Sequence, residues 1–87
     1  MANEASEAVE ILIAALRKAE EKFPGWPDDP VHGSAIVAEE SGELSQAALD
    51  YFYGRYPLRD RMLKEASHTG ATALRMIISI LKQEARP

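Results

Sequence analysis

The last third of the chain, from Pro57 to about Glu84, has the spacing of one helix but carries two apolar stripes. Leu58, Met62, Thr69, Met76 and Ile80 follow one line, and Leu63, Ala66, Gly70, Leu74, Ile77 and Leu81 follow the other. A helix that is apolar along one stripe can rest on a surface, whereas one that is apolar on two sides must be covered from both. Three helices in a short chain do not easily provide both covers, so the pattern predicts that another copy of the chain supplies one of them.

The rest of the sequence predicts two more helices. From Asn3 to about Phe23, the residues Ala5, Val9, Leu12, Leu16, Ala19 and Phe23 recur at spacings of three and four, with Asn3 suited to cap the start and Pro24 and Gly25 to end the pattern. The connector "FPGWPDDP" contains three prolines, which fix the backbone and leave little room for regular structure. Asp29 and Pro30 then read as N-cap and first turn of a second helix that runs to about Tyr53, with Gly54 as its stop, and Pro57 as the first turn of the third. The expected fold class is all-α: an antiparallel bundle of three main helices in one domain over residues 1–87, completed by homo-oligomerisation.

Composition narrows the function. The 87 residues carry a formal charge of -4 and no cysteine, so disulfides cannot compensate for the small core that so short a chain encloses, and thiol catalysis is excluded. No cluster of lysine and arginine is large enough to gain much from counterion release, which argues against nucleic acid polymers as partners. The N-terminal segment lacks the features of a signal peptide, and its apolar run is too short to span a bilayer; the expected location is the cytoplasm, with no membrane partner.

The stretch "VAEESGELSQAALD" then raises a question about charge. On the second helix Ile36, Glu40, Glu43, Ala47 and Tyr51 share one narrow sector, with Asp50 beside it, so two glutamates interrupt an apolar seam. On the third helix Glu65 falls in line with Met62, Thr69 and Met76, and His68 lies one turn on and to the side. Removing a charge from water costs several kcal/mol, against a total stability of about 5–10 kcal/mol for a domain of this size. Basic neighbours such as Arg61 and Lys64, protonation of one carboxyl, or a bound cation can compensate; a divalent metal answers the arithmetic best, and convergent carboxylate oxygens suit a hard ion such as magnesium.

These residues resemble the MazG-like all-α nucleoside triphosphate pyrophosphohydrolases, whose signature is Glu-x-x-Glu on one helix and Glu-x-x-Asp on the next. "ESGE" supplies Glu40 and Glu43, "EASH" supplies Glu65 and His68, and the stretch from "FPGWPDDPVHG" through "GATALRMI" is similar to the small, phage-type members. His68 stands where that pattern has aspartate; imidazole is a poorer ligand for magnesium and a better one for manganese. The resemblance implies cleavage of a nucleoside triphosphate between its α and β phosphates, with metal on Glu40, Glu43, Glu65 and His68, and Glu40 or Glu43 as catalytic base. The expected cofactor is Mg2+, with Mn2+ as the alternative, and the expected assembly a homodimer or homotetramer. The rival reading is a non-catalytic helical module that binds nucleotide or metal, or a protein partner.

Around these residues, Trp26 is a candidate platform for a nucleobase and Arg61 and Lys64 for triphosphate oxygens, while Phe23 reads as a staple of the connector. Glu39 and His32 read as solvated. Gly42 and Gly70, each costing about 1 kcal/mol relative to alanine inside a helix, are expected to permit close helix packing, the default, or to leave space for a ligand.

Overall fold

In a computed structural model, which describes residues 3–83, the chain forms three helices: α1 (Glu4–Lys22), α2 (Pro30–Phe52) and α3 (Asp60–Gln83). The start signals operate as their chemistry requires. The Asn3 side chain accepts from the Ser6 amide at 2.9 Å, and that of Asp29 from the Val31 amide at 3.0 Å, each satisfying a donor that the first turn leaves without a partner. Pro30, whose missing N–H is not needed there, occupies the first turn of α2. Gly54, at φ 76, takes the left-handed conformation that turns the chain after α2.

The third helix starts later than Pro57. Residues 57–59 lie outside it, because the backbone amides of Arg55 and Tyr56 both bond back to the Asp50 carbonyl and hold the turn against the end of α2. Three residues are then spent returning the chain before α3 begins, and Leu58 is exposed in that turn. The expected end near Glu84 lies outside the described residues.

α3 is the centre of the molecule. It packs on α1 along one side and on α2 along another, while α1 and α2 do not pack on each other. Leu12 meets Gly70, and Glu20 lines the same cavity as Ile78, so α1 and α3 run in the same direction. Gly33 meets Met76, Glu40 faces Glu65 and His68, and Asp50 bonds Arg61, so α2 runs opposite to α3. The three helices thus alternate in direction along the chain, as an antiparallel arrangement requires, with α1 and α2 out of contact. The connector must cross α3 to join α1 to α2, and Arg75 secures the crossing: its guanidinium donates to the carbonyl oxygens of Phe23 and of Gly25, the latter at 3.1 Å, and sits 5.1 Å from the centre of the Trp26 ring. Gln83 adds a bond of 3.0 Å to the Asp28 carbonyl.

Helices laid side by side enclose little. Among the described residues the buried apolar side chains are Ala47 and Ala71, at 3% and 1% exposure, and no large side chain is fully buried. Val9 and Phe23, expected on the inner stripe of the first helix, are exposed: Val9 precedes the Leu12 contact with α3, and Phe23 meets Arg75 of α3 through its carbonyl rather than its ring. The molecule measures 50 × 34 × 21 Å with a radius of gyration of 14.7 Å, against about 12 Å for a compact chain of this length. Its accessible surface is 6624 Å², where mass scaling gives roughly 5,100 Å² for a compact monomer.

Candidate functional site

Halfway along the α2–α3 pair, two carboxylates and an imidazole from opposite helices face one another. His68 Nδ1 stands 3.4 Å from Glu65 Oε1 and 3.9 Å from Glu40 Oε2. These distances serve an ion pair when the imidazole is protonated and are too long for a good hydrogen bond. The juxtaposition follows from helix periodicity: Glu65 and His68 are one turn apart on α3, and the seam of Ile36, Glu40 and Ala47 turns α2 toward them.

The four residues are not equally enclosed. Glu40 and Glu65 are half-buried, His68 lies partly open, and Glu43 is exposed. The reading of the second helix is therefore corrected at Glu43: it sits about 60° around α2 from Glu40, enough to reach the solvent rim rather than the seam.

Glu40 is under the most strain. Its Oε2 is buried without a hydrogen-bond partner. Burial raises its carboxyl above the ordinary 4.5; the neighbouring Glu43 and then Glu65 raise it further, and His68 opposes them. Desolvation and repulsion both favour the neutral acid or a nearby positive charge.

Arg61 does not provide that charge. It is committed to Asp50, with Nη2 donating to Oδ2 at 2.6 Å, and stacks 5.3 Å from the centre of the Tyr56 ring. Asp50 also accepts from Arg55 at 2.8 Å and from Gln46 at 2.9 Å, and the hydrogen bonds from Arg61 and then Arg55 hold its carboxyl down to about 2. Asp50 is thus the hub of the α2–α3 turn. Lys64, next to Glu65 in sequence, is exposed. The hub was missed in the sequence because it depends on a turn bringing residues 50, 55 and 61 together, although a lone acid followed by arginines at both ends of a Gly/Pro turn is a usable signal.

Trp26 lies elsewhere. Its indole N–H is buried without a partner, and a Cβ on residue 33 would meet it at 3.1 Å and the Met76 sulfur at 2.8 Å. Gly33 lies seven residues before Glu40, roughly 10 Å along the helix. One face of Trp26 is taken by Arg75, so the ring fastens the connector to α2 and α3, the role expected for Phe23, whose own ring is exposed with the Lys22 ammonium 5.4 Å from its centre. Arg75, 8% exposed, was not anticipated as an anchor. Its signal is an arginine inside the apolar run "ALRMIISIL", opposite a proline-rich connector with carbonyls to satisfy.

Among the described residues, no group of three or more His, Asp or Glu side chains is arranged as a finished metal site. The donor set still fits a hard divalent cation: carboxylates from two helices, one of them with a buried oxygen lacking a partner, and an imidazole nitrogen at the edge. Comparison with known families, curated proteins and solved structures finds no match for this chain. No helix among the described residues is long and apolar enough to cross a membrane.

Proposed function

We propose that the chain is a metal-dependent nucleoside triphosphate pyrophosphohydrolase of MazG-like type, acting as a homodimer or homotetramer in the cytoplasm. The observation that carries the reading is the buried, unpartnered oxygen of Glu40 facing Glu65 and His68 across two helices. A charge in that setting costs free energy unless a cation offsets it.

Glu40, Glu43 and Glu65 would hold the cation, with His68 as a nitrogen donor. Mg2+ or Mn2+ bound there would neutralise the triphosphate and acidify a coordinated water. Hydrolysis would form a bond from a water oxygen to the α phosphorus and break the bond from that phosphorus to the bridging oxygen, releasing pyrophosphate and leaving a monophosphate. The proton passes to a carboxylate, and the exposure of Glu43 at the rim supports it as the acceptor, with Glu40 as the alternative. Lys64 is free to reach triphosphate oxygens from its exposed position. Arg61 can do so only by sharing its guanidinium with Asp50. A role for Trp26 under the base requires the uncovered face of its ring.

The test is pyrophosphate release from a panel of natural and modified triphosphates with Mg2+ or Mn2+. Release is expected in the unaltered chain, and a loss of at least a hundredfold in Glu43→Gln with helix content unchanged. Equal turnover in that variant removes the assigned role of Glu43.

His68, standing where the family pattern has aspartate, favours a second reading: a helical module that binds nucleotide or metal without turnover. Calorimetry separates the two. Binding of nucleotide with metal and no pyrophosphate supports the module, and no binding of either sinks both.

A further inference from the structure

The uncovered side of α3 is a feature that the proposed hydrolysis leaves unused. By helical spacing Leu63, Ile77, Ile80 and Leu81 lie within one arc of α3, and all four are exposed, Ile77 at 51%. Beside this ridge runs a groove of about 440 Å³ between α2 and α3, lined by Ser34, Val37, Ala38, Ser41, Ala73 and the flanks of Met76 and Ile77. Ridge and groove together carry no Asp, Glu, Lys or Arg.

We infer that this face binds the same face of a second copy of the chain, the ridge of each α3 seated in the α2–α3 groove of the other. Three observations select that occupant. The accessible surface exceeds the compact expectation by roughly 1,500 Å², within the range each partner of an obligate homodimer buries. The face is complementary to itself, carrying a ridge and a groove side by side, as a two-fold contact requires. Each chain bears a net charge of -4, so two copies repel unless they meet through a region free of charge, and this face is one. Association through it rests on the homo-oligomeric part of the proposed function and is independent of the hydrolysis: a monomer that releases pyrophosphate would sink the interface and leave the chemistry standing.

The experiment is sedimentation velocity and thermal unfolding of the full chain across a hundredfold range of concentration, for the unaltered chain, Ile77→Glu and Ala14→Glu. The expected result is a particle of at least twice the 9.6 kDa chain mass, with a Tm that rises with concentration as mass action requires. Ile77→Glu is expected to sediment as one chain, with that rise lost. Ala14, exposed on α1 two positions beyond the Leu12 contact with α3, is the control, and Ala14→Glu is expected to associate normally. In a monomer an exposed Ile77 would accept glutamate with Tm nearly unchanged. Unfolding of Ile77→Glu beside a folded Ala14→Glu therefore also supports the interface. A single-chain mass for the unaltered protein at every concentration, or an Ile77→Glu variant with mass and Tm unchanged, overturns it.

Discussion

At the scale of single residues, Glu40 and Asp50 show how two acids on one helix meet opposite fates. Asp50 lies beside two arginines and ionises more easily than in water; Glu40 lies against Glu43 and Glu65 with part of its carboxyl buried, and ionises less easily. The signs on stability are opposite. Asp50, held down to about 2 against an ordinary 3.8, contributes stability that is complete above the ordinary value and is lost as pH falls toward about 2. The readout is the near-ultraviolet signal of Tyr56 and its neighbours in the turn, which is expected to decay in that window and to be flat there in Asp50→Asn. Glu40 works the other way: its carboxyl, raised above 4.5, favours the fold at low pH and opposes it as pH rises through the raised value. Glu40→Gln is accordingly expected to raise the stability of the cation-free protein at neutral pH by about 1 kcal/mol, and to abolish any rise in Tm on adding Mg2+ or Mn2+. A variant that melts lower than the unaltered chain without cation would show that the ionised carboxylate is not the burden described.

At the scale of the elements, the glycines of α2 separate packing from propensity. A Cβ at Gly33 would meet the indole nitrogen of Trp26 at 3.1 Å as well as the Met76 sulfur, and Arg75 limits how far that ring can retreat. Around Gly42 nothing lies within 4 Å in a single chain, so the close helix packing expected there from the sequence is absent among the described residues. Gly33→Ala is expected to lower stability by about 1–2 kcal/mol and to shift the tryptophan emission. Gly42→Ala is expected to raise stability by about 0.5–1 kcal/mol, because alanine loses less backbone freedom on entering a helix. Denaturant titration measures both. Gly70 fits the close-packing expectation: a Cβ there would stand 2.5 Å from Leu12 Cδ1, where α1 meets α3.

At the scale of the whole molecule, α1 and α2 are held in one structure through α3 and the connector rather than by each other. Arg75 is the fastening, since it joins the connector carbonyls and the Trp26 ring to the central helix. Replacing it with methionine keeps much of the volume but leaves two carbonyls without their donor. Arg75→Met is expected to cost about 2 kcal/mol, within the range for hydrogen bonds to charged groups, and to move the emission of the chain's one tryptophan to longer wavelength. An unchanged emission maximum would mean that the connector is held by its prolines alone.

The sequence by itself determined the three helices, the caps at Asn3 and Asp29, and the placing of Glu40 with Glu65 and His68 on facing stripes, because capping chemistry and a period of 3.6 residues are local properties. The two-sided apolar character of the third helix was equally legible and reappears as a central helix with an open face. What only the tertiary structure decided depends on which distant groups meet. Asp50 claims Arg61 once the turn brings them within 2.6 Å, α3 starts at Asp60 because the same turn holds residues 55 and 56, and Arg75 is buried because the connector crosses above it. Glu43 ends at the rim because the face that α2 turns to α3 takes in Glu40 and leaves Glu43, about 60° around the helix, exposed; periodicity fixes the relative directions of side chains, while contact between helices fixes the absolute one.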